Sequence, residues 1–182
     1  ATLGGVFVGG PGTDTLNFTG YTTARNVALT AIVAGPGFTG TEAAINSGAP
    51  GGFTGVDVVG GGTAGDSLTG IAATAATWTI DTTRTYSVAA GTLTFVSFED
   101  LRGSTEADLF QFGAGSTLSG GTLSGGTGTD ILIGDSNGST FTIDGVDAGT
   151  IDTGPMAAHT FNGIGNLTGG SGDDSFTFTN LG

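Results

Sequence analysis

The 182-residue chain contains no cysteine, which excludes disulfide bridges, zinc thiolate sites and thiol nucleophiles. Lysine is also missing. Arg25, Arg84 and Arg102 stand against 16 acidic residues, and the formal net charge is −13. Without clustered Lys and Arg, nothing displaces counterions from a phosphate backbone, so nucleic acid is excluded as a partner. The same deficit argues against an anionic membrane surface. No apolar run approaches the ~20 residues of a helical span, so no membrane insertion is expected. No basic-then-apolar leader follows Ala1. Prolines number only 4, and the 38 glycines follow no Gly-X-Y period, which excludes collagen. Charged residues are scarce at 10% while apolar ones reach 37%, the reverse of a disordered composition.

What the chain does contain is internal repetition. Residues 161–178 read FNGIGNLTGGSGDDSFTF, residues 95–112 FVSFEDLRGSTEADLFQF, and residues 53–70 FTGVDVVGGGTAGDSLTG. Shorter echoes lie at 7–18 and 123–134. The motif aspartates Asp14, Asp66, Asp108, Asp130 and Asp174 are successively 52, 42, 22 and 44 residues apart. The last three intervals are close to multiples of a 21- to 22-residue unit, and the first needs an insertion. The Gly/Ala/Pro-rich stretch 39–52 is the candidate surface loop for it, and TEAAIN at 41–46 is the best helix candidate within it. TWTID (77–81) corresponds to TFTID (140–144), which pairs the units into a larger repeat. The whole of 1–182 reads as one repeat segment, excerpted from a longer array.

After each motif aspartate, apolar residues alternate with polar ones, as at Phe110/Phe112 and Phe176/Phe178. Stretches 26–33, 77–81, 85–88 and 93–95 are also strand-like, rich in β-branched and aromatic residues. The three-residue spacing of Phe95, Phe98 and Leu101, repeated at Phe161, Ile164 and Leu167, is no strand alternation and marks a bend. Short strands and glycine corners at a fixed period predict an all-β fold, a parallel β-helix or β-solenoid of about eight coils spaced ~4.8 Å apart. Stacking would align Phe110, Leu132 and Phe176 in one internal column. The alternative is a β-sandwich built of hairpin repeats. Open solenoid ends expose unpaired edges, so neighbouring repeats or identical subunits stacked end to end are the expected partners.

The corners read GGPGTDTLN, GGTAGDSLT, GSTEADLFQ, GGTGTDILI and GGSGDDSFT. They resemble the RTX nonapeptide GGxGxDxUx of secreted bacterial toxins, proteases and surface-layer proteins. That resemblance implies a β-roll with Ca²⁺ bound between turns, and ligand carboxylates at Asp14, Asp66, Asp108, Asp130 and Asp174. The copies here are isolated, and the one ending at Asp108 has exchanged glycines for Ser104, Glu106 and Ala107. Asp173 beside Asp174 makes the best calcium candidate. The competing role for each aspartate is to hydrogen-bond its own turn. Much of residues 53–182 is similar to repeats of giant bacterial surface proteins and adhesins, which implies a secreted or cell-surface location.

Catalysis has little material. A triad has only His159 to work with, and that residue reads as an exposed position ahead of a strand. Acid pairs such as Asp144 and Asp147 read as solvated turn residues. The expected function is a non-catalytic structural or adhesive repeat segment of an extracellular bacterial protein or fibre. The alternatives are a calcium-assisted, self-assembling surface-layer or sheath subunit and a carbohydrate-active β-helix enzyme.

Overall fold

Short apolar runs bounded by glycine fold as short strands. Among its described residues the computed structural model holds 19 strands and no helix. It describes residues 2–33, 35, 37–45, 52–116, 118, 120–154 and 157–179.

β1 (Phe7–Val8) and β2 (Thr15–Asn17) open the chain, one in each of two mixed sheets. β3 (Asn26–Ile32), β4 (Phe38–Thr41) and β5 (Phe53–Val56) then form an antiparallel meander in the long sheet. β6 (Val58–Gly60) crosses to the short sheet and β7 (Ser67–Thr69) returns. The same five-strand order follows with the sheets exchanged. The meander β8 (Thr77–Ile80), β9 (Thr85–Val88) and β10 (Gly91–Val96) lies in the short sheet. β11 (Asp100–Arg102) crosses and β12 (Leu109–Phe112) returns. β13 (Thr122–Ser124) and β14 (Ile131–Ile133) make a crossing without a meander. A third meander, β15 (Thr140–Gly145), β16 (Ala148–Asp152) and β17 (His159–Asn162), occupies the long sheet, followed by β18 (Asn166–Thr168) and β19 (Ser175–Phe178).

The long sheet runs β1-β5-β4-β3-β7-β11-β13-β17-β16-β15-β19, and the short sheet β2-β6-β10-β9-β8-β12-β14-β18. Outside the meanders every ladder is parallel. Counted from the β1 and β2 edges, several pairs of consecutive strands sit at the same position in their two sheets, whereas β10 is third and β11 sixth. β5 and β6 are second, β7 and β8 fifth, β11 and β12 sixth, β17 and β18 eighth. Each meander runs backwards: β3 is fourth in its sheet and β5, later in the chain, is second. Beyond the eighth position the long sheet continues alone through β16, β15 and β19.

Two kinds of corner recur among the crossings between the sheets. One is the GGxGxD turn. The other is a tight crossing with a positive-φ residue, Gly55 (71°), Ser97 (56°) or Gly163 (63°). The three-residue spacing belongs to this second corner. Phe95 ends one sheet's contribution, Phe98 packs at the bend and Leu101 begins the other's, all fully buried.

The two inner faces share one core. Trp78 stacks on Phe110 at 5.7 Å and meets Tyr86 edge-on at 4.6 Å. Phe38 of the long sheet reaches Tyr86 at 5.8 Å. Each such buried aromatic contributes about 1.5–3 kcal/mol by its removal from water. The Tyr86 hydroxyl accepts a hydrogen bond from the Ile71 N–H, and burial pushes its pKa up to about 12.

Three expectations are corrected. Residues 41–45 form no helix: Thr41 ends β4, a turn follows, and Ile45 bridges Leu3, with Asn46 outside the described residues. Of the candidate loop 39–52, residues 39–41 are strand and 46–51 lie outside the described residues. Phe110 and Leu132 do pair in register, but Phe176 belongs to the opposite sheet and stacks on Phe141. The reason is the exchange of sheets between successive units, which also places TWTID and TFTID in different sheets.

Candidate functional site

The five glycine-aspartate corners are the features to which sequence reasoning gave chemistry. In three of them one carboxylate oxygen closes its own turn. Gly10 N–H donates to Asp14 Oδ2 at 2.8 Å, Gly62 N–H to Asp66 Oδ2, and Ser104 N–H to Asp108 Oδ2 at 2.6 Å. The other oxygen reaches backward along the sheet. Asp66 Oδ1 accepts Arg25 N–H, Asp108 Oδ1 accepts Ala76 N–H at 2.8 Å, Asp130 Oδ1 accepts Asp108 N–H at 2.8 Å, and Asp174 Oδ1 accepts Ser139 N–H at 2.8 Å. Each of these donors immediately precedes a strand of the neighbouring position. The carboxylate therefore satisfies a backbone group that the ladder leaves unpaired.

Sequence reasoning missed the acids on the receiving side. Asp14 N–H donates to Asp57 Oδ2 at 2.9 Å, and Asp66 N–H to Glu99 Oε2 at 2.8 Å. Thr122 N–H donates to Asp100 Oδ1 at 2.8 Å. Their signal was available: Asp57 and Glu99 each stand where a tight crossing enters its next strand.

The first glycine of the corner is fixed by the next strand. A Cβ at Gly9, Gly61, Gly103 or Gly125 would collide with the carbonyl of Gly55, Ser97, Gly125 or Gly163 respectively, and with the corner's own aspartate. At Gly169 it would meet only Asp174. The N–H of the same glycine pairs with that neighbour: Gly9 with Thr54, Gly61 with Val96, Gly103 with Ser124 and Gly125 with Asn162.

Burial pushes the Asp108 and Asp130 carboxyls above the usual carboxylate range, opposed by the N–H donors; the Asp130 charge adds to the rise at Asp108. Asp130 Oδ2 is buried without a hydrogen-bond partner.

Calcium takes six to eight oxygen ligands. Asp66 and Asp108 have both oxygens committed to backbone N–H donors. At Asp130 only Oδ1 is so committed, and Oδ2 has no such donor. No group of three or more His, Cys, Asp or Glu suited to a metal occurs among the described residues. Asp173 is exposed and Asp174 partly so, with one oxygen on Ser139 N–H.

His159 is corrected: it opens β17 and is 1% exposed, packed 5.2 Å from the Phe112 ring. Burial lowers its pKa, and the neighbouring backbone at Leu118 and Gly120 opposes the shift. Arg25 pairs with Glu42 at 3.2 Å and covers the Tyr21 ring. Compared with protein-family models, curated proteins and solved structures, the chain matches none.

Proposed function

We propose that the chain is a non-catalytic structural repeat segment, a β-solenoid unit of an extracellular bacterial surface protein or fibre. The observation that carries this reading is the pairing itself: outside the three antiparallel meanders both sheets are extended by parallel ladders, with edges at β1, β2, β18 and β19 unpaired among the described residues. Parallel pairing suits a wound chain, whereas a sandwich of hairpin repeats pairs antiparallel. An architecture that grows along one axis transmits load through a continuous hydrogen-bond ladder and suits a stalk.

The side-chain chemistry agrees with a scaffold. The aspartates hold backbone, His159 is packed against Phe112, and Arg25 is engaged with Glu42 and Tyr21. A groove of about 610 Å³ beside β1 is lined by glycines with Val8, Pro11, Val33 and Thr54, without a titratable group. General acid-base chemistry has nothing to draw on there.

Small-angle scattering tests the proposal. Eleven strands at ~4.8 Å give an elongated particle with a long axis of about 50 Å. A globular scattering profile overturns it.

Exposed Asp173 beside Asp174 supports a second reading, in which calcium assists assembly of surface-layer or sheath subunits. In that case calcium raises the sedimentation coefficient and EGTA reverses the rise.

A further inference from the structure

We propose that the inner face of the unopposed strands β15 and β19 is a docking seat for one more short-sheet meander, built like β8-β9-β10 and following β19 in the repeat order.

The seat is apolar and open. Phe176 is 44% exposed and Phe178 64%, although both point where Leu68 and Gly70, their counterparts in the first unit, are buried. A groove of about 460 Å³ runs beneath them, bordered by Ile143, Phe161 and Leu167. It lies beside β18, whose second edge is unpaired among the described residues, so an added strand continues the short sheet from there.

The chain shows what fills the equivalent place. After β7 the next strands are the meander β8-β9-β10, which occupies the fifth, fourth and third positions of the short sheet. Its return strand closes over the preceding glycine corner: Val96 carbonyl accepts Gly61 N–H, Ser97 carbonyl fills the space that a Cβ on Gly61 would need, and Glu99 accepts Asp66 N–H. The matching groups of the last corner are Gly169 and Asp174. Gly169 keeps the same clearance with no carbonyl in it, and neither its N–H nor that of Asp174 has a partner among the described residues. Apolar face, free strand edge and unused donors converge on one kind of occupant.

A second copy of the chain stacked head to tail does not supply it. β1 and β2 end flush, so β1 could extend the long sheet beyond β19 while three positions of the short sheet stayed empty. The seat also specifies its guest. Gly70 admits the Trp78 and Tyr86 rings, and Phe178 stands in its place, so the guest meander carries smaller side chains at those two positions.

The inference rests on the repeat-segment reading above. It is tested by appending a copy of residues 71–98 in place of 179–182, in a Phe178→Gly background that restores the Gly70 fit. The expected result is a blue-shifted, quencher-shielded second tryptophan, a melting temperature several degrees higher and loss of dye binding to the exposed apolar face. The same extension with Phe178 kept leaves the new tryptophan exposed. If the new tryptophan stays exposed in the Phe178→Gly chain while the elongated scattering profile persists, the seat is overturned alone. Loss of the elongated profile in the parent chain overturns the underlying reading. In the parent chain, dimerisation abolished by Phe178→Ser identifies a second copy as the occupant and overturns the proposal.

Discussion

At the scale of single residues, each corner aspartate acts as a two-sided acceptor. Asp66 is fully buried and receives Gly62 N–H on one oxygen and Arg25 N–H on the other. Asp66→Ala orphans both donors, each at about 1–3 kcal/mol. Urea unfolding should show a loss of about 2–4 kcal/mol, the same in calcium as in EGTA. Asp66→Asn retains one acceptor and should lose less. His159 gives a pH signature of defined sign. Its folded pKa lies below the ordinary 6.5, so the unfolded chain binds the proton more readily. The stability this neutral ring contributes is complete above pH 6.5 and is lost as the pH falls below that value. Asp108 and Asp130 act oppositely, because their folded pKa values are raised above 3.8 and the cost of their charge is relieved as the pH falls. His159→Phe should therefore flatten the decline in stability between pH 6.5 and 5, measured by thermal melts.

At the scale of elements, similar corner sequences carry different loads according to what stacks on them. A methyl group at Gly125 meets the backbone carbonyl of Gly163, which cannot withdraw without breaking the ladder. A methyl at Gly169 meets only the Asp174 side chain. Gly125→Ala should cost about 3 kcal/mol and Gly169→Ala about 1 kcal/mol or less, read from denaturant midpoints. This contrast also marks how far the sequence could be read. Strands at 26–33, 77–81 and 85–88 were legible because alternation and β-branching are local properties. The own-turn role of Asp14, Asp66 and Asp108 was legible because the glycines and the acid share one turn. The exchange of sheets between units was not: the strand after a corner reads as alternating apolar residues whether it enters the long sheet, as Leu68 does, or the short one, as Phe110 does. His159 was misplaced because its burial comes from Phe112, 47 positions earlier in the sequence.

At the scale of the whole molecule, the backward meanders make each stretch of core depend on a later part of the chain. β3, β4 and β5 are laid down first, but β9 and β10, opposite them, arrive only after β7. The Phe38–Tyr86 contact joins those two meanders across the core. A chain ending at residue 70 keeps the first meander with its inner face bare. One ending at residue 112 has six strands in each sheet, both ending at the same position. A wound chain that advanced one coil at a time would lose stability in even steps on shortening. Interlocked units should instead fold only when an opposing meander is present. Residues 1–112 are therefore expected to show a cooperative thermal transition and little apolar-dye binding, and residues 1–70 neither a transition nor protection from protease. In the full chain, hydrogen exchange should be fastest in β19, whose four residues are all exposed, and slowest in β8 and β12, where Trp78 and Phe110 stack at zero exposure. A cooperative fold for residues 1–70 would show that the meander stands without its opposite number and that the units are not interlocked.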